Sequence, residues 1–508
     1  MITFAVGIAI LIVGGVISAL LCKKAFKPSD RPTPAHTHAD GTDYVPMKRW
    51  RNSLINFLNI AGTGPILGPI QGILFGPLAF ITIPIGCIIG GAVQDYLVGM
   101  ISTREDGRTI STLIRKFLGK PAYMLFMIIF VVMITLLITV FTYTPADLTA
   151  SMVHDSTGFS SPVFSFALYA IIIIYYLLSA MLPIHKVIGR VYPIFGGILL
   201  ISAIGLFGAL LFGGYDLVEL FGDWTLNGFD FRAYFTEMHF IPVFFVTVAC
   251  GILSGFHSTQ VSLMSRTIES ERDGLEVFHM PMIVEGLVAM VWAAATMAMI
   301  GVGAADGGIT MSMEDGVWVY TAMIDGKLQT VSPTTVVYVI GTQMLGTVGG
   351  LFAAAACVLL PITTGDTALR AMRMAGVEAS GQKIGSMNDM RKFTYPVVVM
   401  VIIMLIFFKA NPDGFQRLWM YFSLFNQQIA VFALAVVSVY FLRKGLKKWV
   451  WLPAIPLAFY CFVVMSYMIG SENCAGLPWN FAYIVAAVSV VALFAFIIRR
   501  GRMDIDAI

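Results

Sequence analysis

Apolar residues gather in thirteen stretches along this chain, most of them close to the ~20 residues that cross a hydrocarbon core of ~30 Å. They cover 2–22, 54–75, 77–99, 122–145, 163–182, 191–213, 240–258, 279–303, 336–361, 394–409, 418–441, 450–469 and 480–498. The runs are continuous and not alternating, so they predict membrane-spanning helices and exclude a β-barrel. The polar segments between them are short, and no soluble domain is predicted.

The positions of the basic residues test this map. Twenty-eight of the 32 Lys and Arg lie in alternate segments: 23–53, 100–121, 183–190, 259–278, 362–393, 442–449 and the tail after 498. The intervening segments hold only Arg232, Lys327, Lys409 and Arg417. Cytoplasmic loops carry the excess of Lys and Arg, so the N-terminus is predicted outside and the C-terminus inside. Residues 2–22 carry no basic residue ahead of the apolar run and no clear small-residue cleavage site. They are read as a retained first span and not a signal peptide.

Two runs are interrupted. The second contains NIAGTGPILGPIQG, with Gly62, Gly64, Gly68, Gly72, Pro65 and Pro69 inside eleven residues. Irregular backbone at membrane depth is tolerated only where protein or a watery cavity covers it. Gly62, Thr63 and Gly64 permit unwinding, and Pro65 suits the first turn of a new half-helix. Such a half-helix offers free N–H groups to an anion. The same glycines at a spacing of four also make a close-packing face. The seventh run holds a second interruption, CGILSGFHST, with Ser254, Gly255, Phe256, His257 and Ser258. Interrupted spans at matching positions of two halves point to a transporter site. Spans 2 and 7 lie five apart, an odd number, so the halves have opposite orientation. The predicted fold is an all-α polytopic membrane protein with a LeuT-like 5+5 inverted repeat. It has one extra N-terminal span (2–22), a first repeat (54–213), a second repeat (240–441) and two further spans (450–498).

Ionisable residues inside spans are costly and usually functional. Asp95 lies near the inner end of span 3, Glu285 inside span 8, and Asp366 where span 9 meets the inner face, beside Thr363 and Thr364. Asp147 lies at the outer end of span 4, and His257 in the span 7 break. The functional reading is proton or sodium coupling, with the two threonines as oxygen ligands. The bland readings are partial solvation for Asp95 and Asp366, a structural pairing for Glu285 and a packed imidazole for His257. Asn426, Gln427 and Gln428 read as helix bridges.

Composition agrees: 58% of residues are hydrophobic and 12% charged. The net charge of +3 reflects the basic loops and indicates no nucleic-acid partner. The six cysteines form no CxxC pair, and neither disulfides nor a metal site is expected. His36 and His38 read as part of a solvated loop. No Walker A, GxSxG, HExxH or haem motif occurs, so ATP-driven transport and enzymatic activity are not expected.

Seven segments in order carry a resemblance: HADGTDYVPMKR, IAGTGPILGPIQG, GGAVQDY, STREDGRTI, ACGILSGFHST, TTGDTALRAMR and LFNQQIA. This order resembles the signature of the carbon starvation protein A (CstA) family over roughly residues 38–430. The resemblance implies a bacterial inner-membrane transporter of peptides, or of pyruvate by proton symport, linked by the family's name to starvation. It is similar in class to the amino acid–polyamine–organocation transporters. It implies no list of binding residues; those named above come from the sequence's own chemistry. The expected partners are a small-molecule substrate and the lipid bilayer, with no cofactor beyond a coupling H+ or Na+. Oligomeric state is left open. The alternative is a membrane sensor or a channel-like protein without active coupling.

Overall fold

A computed structural model describes residues 1–41, 43–179, 184–300, 309–314, 317–324, 327–331, 333–380, 390–411 and 413–503. The predicted span ends at 180–182 and 301–303 fall outside them. The chain is mostly helical. Helix α1 (Ile2–Phe26) is followed by α2 (Arg49–Ala61), α3 (Gly64–Gly72), α4 (Ala79–Gly86) and α5 (Val93–Arg104). Then come α6 (Ile110–Leu118), α7 (Lys120–Thr157), α8 (Pro162–Ser179) and α9 (Ile184–Phe212). The second part holds α10 (Phe240–Thr247), α11 (Gly255–Met264), α12 (Met280–Met299), α13 (Pro333–Ser380), α14 (Tyr395–Lys409) and α15 (Gly414–Arg443). Two last helices, α16 (Trp451–Gly470) and α17 (Trp479–Gly501), complete the bundle.

Among the described residues, eleven helical segments are long and apolar enough to cross a membrane. Ten of them each overlap one predicted stretch, and the eleventh, Gly64–Arg104, runs from the second half of 54–75 through 77–99. The stretch 240–258 matches none of the eleven, being built from α10, a turn at Ala249–Ile252 and the start of α11. α13 runs 48 residues, well beyond the predicted 336–361, with a break at Gly346 (φ 73°). Asp366 is therefore inside a helix and fully buried, which removes the partly solvated reading.

The loops depart from the all-α expectation. Residues 225–230 form a small hairpin, β1 (Thr225–Leu226) and β2 (Phe229–Asp230). An antiparallel sheet is made by β3 (Ile309–Glu314), β4 (Val317–Ile324) and β5 (Lys327–Val331), with Tyr320 opposite both Met311 and Val331. The signal was present in the sequence. Asp315-Gly316 and Asp325-Gly326 separate runs rich in Val, Thr and aromatics, a hairpin pattern.

Burial sorts the helices by role. The most apolar windows of the α12 segment and of α15 are 83% buried, whereas that of α17 is only 17% buried. The outward faces of α1 and α17 expose Val13, Val16, Val488 and Val491, a surface suited to lipid and not to water. The polar residues of interest thus sit on central helices. At the rim, Glu219 accepts hydrogen bonds from Ile2 and Thr3 and pairs with the Met1 ammonium group. Burial alone would raise its carboxyl, but these donors outweigh that and hold it at about 2. A depressed carboxylate contributes stability above its ordinary value and loses it as pH falls through the folded value. Glu219→Gln is therefore expected to lower the thermal midpoint at pH 7. The gap from the parent should close as pH falls below 4.5 toward 2, read by thermal melts across that range.

Candidate functional site

The two interrupted segments pack on each other. A Cβ added at Gly64 would lie 2.3 Å from Cys250 Cβ, and one at Gly72 would lie 2.3 Å from Val248 Cγ1. Gly68 faces the Val248 backbone in the same way. The glycine stripe of α3 thus serves as a close-packing face against the α10–Ile252 segment. The unwinding lies just ahead of it. Gly62 has φ 35° and ψ −136°, and Thr63 begins the next turn, accepting the N–H groups of Ile66 and Leu67. Pro65 is the second residue of α3, where its missing N–H removes nothing. Gly62 faces Phe141 and the Thr364 hydroxyl. The Thr63 hydroxyl is fully buried and has no hydrogen-bond partner among the described residues.

In the second segment, Leu253 and Ser254 are extended and α11 restarts at Gly255. Neighbouring side chains satisfy the freed backbone groups. Asn426 Oδ1 accepts the Phe256 N–H at 2.9 Å, and its amide reaches Ser254 Oγ at 2.9 Å. Gln94 Nε2 donates to Ser254 O at 2.8 Å, and Cys87 Sγ donates to Gly251 O at 3.0 Å. Gln427 Nε2 donates to Phe245 O at 2.5 Å. Ser258 Oγ bonds back to Gly255 O. Gly255 is required sterically, since its Cβ would lie 2.2 Å from Asn426 O. Asn426 and Gln427 are helix bridges, as the sequence suggested. What they bridge to is the break itself.

His257 lies in the first turn of α11, between two carboxylates from different helices. Its Nδ1 is 3.2 Å from Asp95 Oδ2 on α5, and its Nε2 is 3.6 Å from Glu285 Oε2 on α12. All three side chains are at most 1% exposed. Asp95 also accepts from Gln94 Nε2 at 3.3 Å. Neither Glu285 oxygen accepts a hydrogen bond among the described residues, and Gln260, one turn beyond His257, has both amide atoms without one. Each carboxylate follows a π-helical turn, at Cys87–Ala92 and Leu275–His279. Such turns often mark functional positions in helices. Here the second is held by α2, where Asn56 Nδ2 donates to Val277 O.

The remaining candidates lie elsewhere. Asp366 accepts from Ser179 Oγ at 2.5 Å, and among the described residues no hydrogen bond or ion pair joins it to the His257 cluster. Thr363 bonds to Leu360 O of its own helix, and Thr364 bonds to both Leu360 O and Asn59 O. Thr364 therefore serves the carbonyls at the end of α2. Asp147 of α7 pairs with Lys409, the last residue of α14. Gln94 and Gln260 were missed in the sequence. Their signal was a polar amide next to, or one turn from, a buried charge in an apolar run. Among the described residues, no group of three or more His, Cys, Asp and Glu is arranged to hold a metal ion.

The profile of the family described as "Carbon starvation protein CstA" matches residues 1–211, 148–335 and 325–467. The chain belongs to the CstA family. An "Uncharacterized membrane protein" of Haemophilus influenzae is 37% identical over 330 residues, 57% of this chain and 89% of that protein. A "Peptide transporter CstA" of Mycobacterium tuberculosis is 26% identical, with 88% of this chain and 72% of that protein covered. A shorter match, 36% identical over 124 residues, links 23% of this chain to 18% of "Peptide transporter CstA" of Escherichia coli. Among solved structures, a mutant of the manganese transporter of Eremococcus coleocola aligns at TM-score 0.57 and 11% identity, covering 91% of this chain and 98% of that one. A complex of that transporter with an aromatic bis-isothiourea compound aligns at TM-score 0.55. At this identity the likeness shows a shared helical fold alone. This CstA-family chain is thus a multi-pass membrane protein by its helices and by its relatives.

Proposed function

We propose that this chain is a secondary active importer of small carboxylate-bearing nutrients, peptides or pyruvate-like acids, driven by protons or sodium. The observation that carries the proposal is His257 held between Asp95 and Glu285 at a helix break, sealed from solvent. Three titratable groups in such a place change their net charge with each proton bound, and burial makes that change energetically large. The cluster spans three helices, so its charge acts on how α5, α11 and α12 pack. Coupling is assigned first to Asp95, His257 and Glu285, and second to Asp366 with Thr363 and Thr364.

For substrate, the favoured place is the start of α3. The Phe256 N–H at the other break is already taken by Asn426, whereas the buried Thr63 hydroxyl has no partner among the described residues. Gly62, Thr63, Gly64 and Pro65 would meet a substrate carboxylate there, with Gly68 one turn on and Ser254, Gly255, Phe256 and Ser258 facing it from the second segment. The two broken segments would each cross the membrane, giving thirteen spans in all. Residues 54–213 and 240–441 would form inverted halves that rock about the breaks. The basic loops would face the cytoplasm, with the N-terminus outside.

The test is uptake by proteoliposomes of labelled pyruvate and a labelled dipeptide, with an inward proton gradient and with it collapsed. Accumulation that vanishes on collapse is expected for one of the two. Downhill flux without accumulation would favour the channel-like alternative. No flux, with sodium also tried, would favour a sensor.

A further inference from the structure

Two signature motifs, HADGTDY (38–44) and STREDGRT (102–109), have no part in the coupling cluster, yet they meet at an ion pair whose arginine is buried and whose carboxylate is half-buried. Arg266 lies just past the end of α11 and its side chain is only 2% exposed. Its Nη2 is 2.5 Å from Glu378 Oε1, near the end of α13, and its Nε donates to Gly107 O at 2.7 Å. The guanidinium carbon lies 5.0 Å from the centre of the Tyr44 ring. Tyr44 donates its hydroxyl to Asp106 O at 3.1 Å. The other Glu378 oxygen accepts the Thr112 hydroxyl at 2.6 Å and that of Thr109. Gly107 has φ 71°, and a Cβ there would lie 2.9 Å from Arg266 Cγ, so the loop closes on the arginine only with glycine at this position.

The pair joins two elements that each serve a break. α11 carries His257 and reaches Arg266 nine residues later. α13 carries Thr364, which bonds to Asn59 O beside Gly62, and reaches Glu378 fourteen residues later. An ion pair with a buried arginine and a half-buried carboxylate is a weak choice for stability alone, because the cost of desolvating the arginine offsets much of the attraction. At the edge of an aqueous path that balance is useful. On separation both charges regain water, so the closed and open arrangements stay close in free energy. An apolar contact would favour the closed arrangement alone.

We propose that Arg266 and Glu378 form the latch of an inner gate, with Tyr44 and the 106–109 loop as its cover. The latch separates the helix breaks from the face that carries the basic loops, and it opens to release substrate there. This rests on the transporter reading above, but its test needs neither substrate nor gradient. Thr63→Cys, in a background with the exposed Cys474 replaced by Ser, reports access to the first break. Its labelling rate with a membrane-impermeant maleimide is measured in inside-out and right-side-out vesicles. Glu378→Gln should raise the inside-out rate by about tenfold or more, in the range of ordinary coupling between sites. The charge-reversed pair R266E/E378R should bring it most of the way back, and the right-side-out rate should stay unchanged. Thr112→Val, a milder change, should give an intermediate rise if Glu378→Gln does not fold. An unchanged inside-out rate in the folded variants would overturn the latch. An equal rise from both sides would do so as well, since it would mean loosened packing and not a gate. Failed uptake by the parent protein would sink the transporter reading without altering the labelling result.

Discussion

Glu285→Gln is expected to abolish gradient-driven accumulation while the protein stays folded and still exchanges substrate. A gradient of one pH unit is worth about 1.4 kcal/mol per proton, enough for about a tenfold accumulation by one-proton symport. In the variant that ratio should fall to about one. The reason is geometric. Glu285 forms its one ion pair among the described residues with His257 Nε2, at 3.6 Å, and neither of its oxygens accepts a hydrogen bond among them. The substitution keeps shape and polarity, so packing on α12 is preserved and only the titratable charge is lost. Counterflow exchange, which needs no net proton movement, separates lost coupling from lost binding. An accumulation ratio equal to the parent's would remove Glu285 from the coupling cluster and leave it a structural residue.

Gly64→Leu is expected to damage the fold severely. Even its Cβ would lie 2.3 Å from Cys250 Cβ and 3.4 Å from Cys250 Cα, so α3 and the Ala249–Ile252 turn would have to separate. Overpacking of this kind costs about 1–3 kcal/mol, and more when backbone must move. Here the displaced backbone is the crossing of the two broken segments. Gly208→Ala is the matched control. It sits in α9 with nothing within 4 Å of an added Cβ, and alanine gains about 0.8–1 kcal/mol of helix propensity over glycine. Thermal melts and folded yield in detergent should separate the two clearly. Equal stability would mean that the segments do not pack as closely as described.

Much of this arrangement was legible in the chain. Hydropathy located the spans, because lipid requires long apolar helices wherever the backbone crosses. The breaks at Gly62 and Ser254 were legible because glycine and proline punctuation inside an apolar run has few other meanings. Asp95, His257 and Glu285 stood out singly, because a charge inside a span is rare enough to be noticed. Their meeting was not legible. They lie on α5, α11 and α12; Asp95 is 162 positions before His257 and Glu285 is 28 after it, and neither interval is a helical spacing that would put them on one face. The same holds for Arg266 and Glu378, each of which reads in sequence as an ordinary loop charge. The glycine stripe of α3 illustrates the limit from the other side. As sequence it supported two readings, unwinding or close packing, and both hold: Gly62 unwinds, while Gly64, Gly68 and Gly72 pack.

By itself, then, the sequence determined the class of the molecule, the family, most of the long apolar helices and the places where helices break, since each depends on local composition and on what lipid forbids. The tertiary structure alone decided which buried charges are partners. It set His257 between two carboxylates and left Asp366 with Ser179. The physical reason is that ion pairing falls off over a few ångströms. It depends on how helices far apart in the chain are brought together, which no periodicity in the chain encodes.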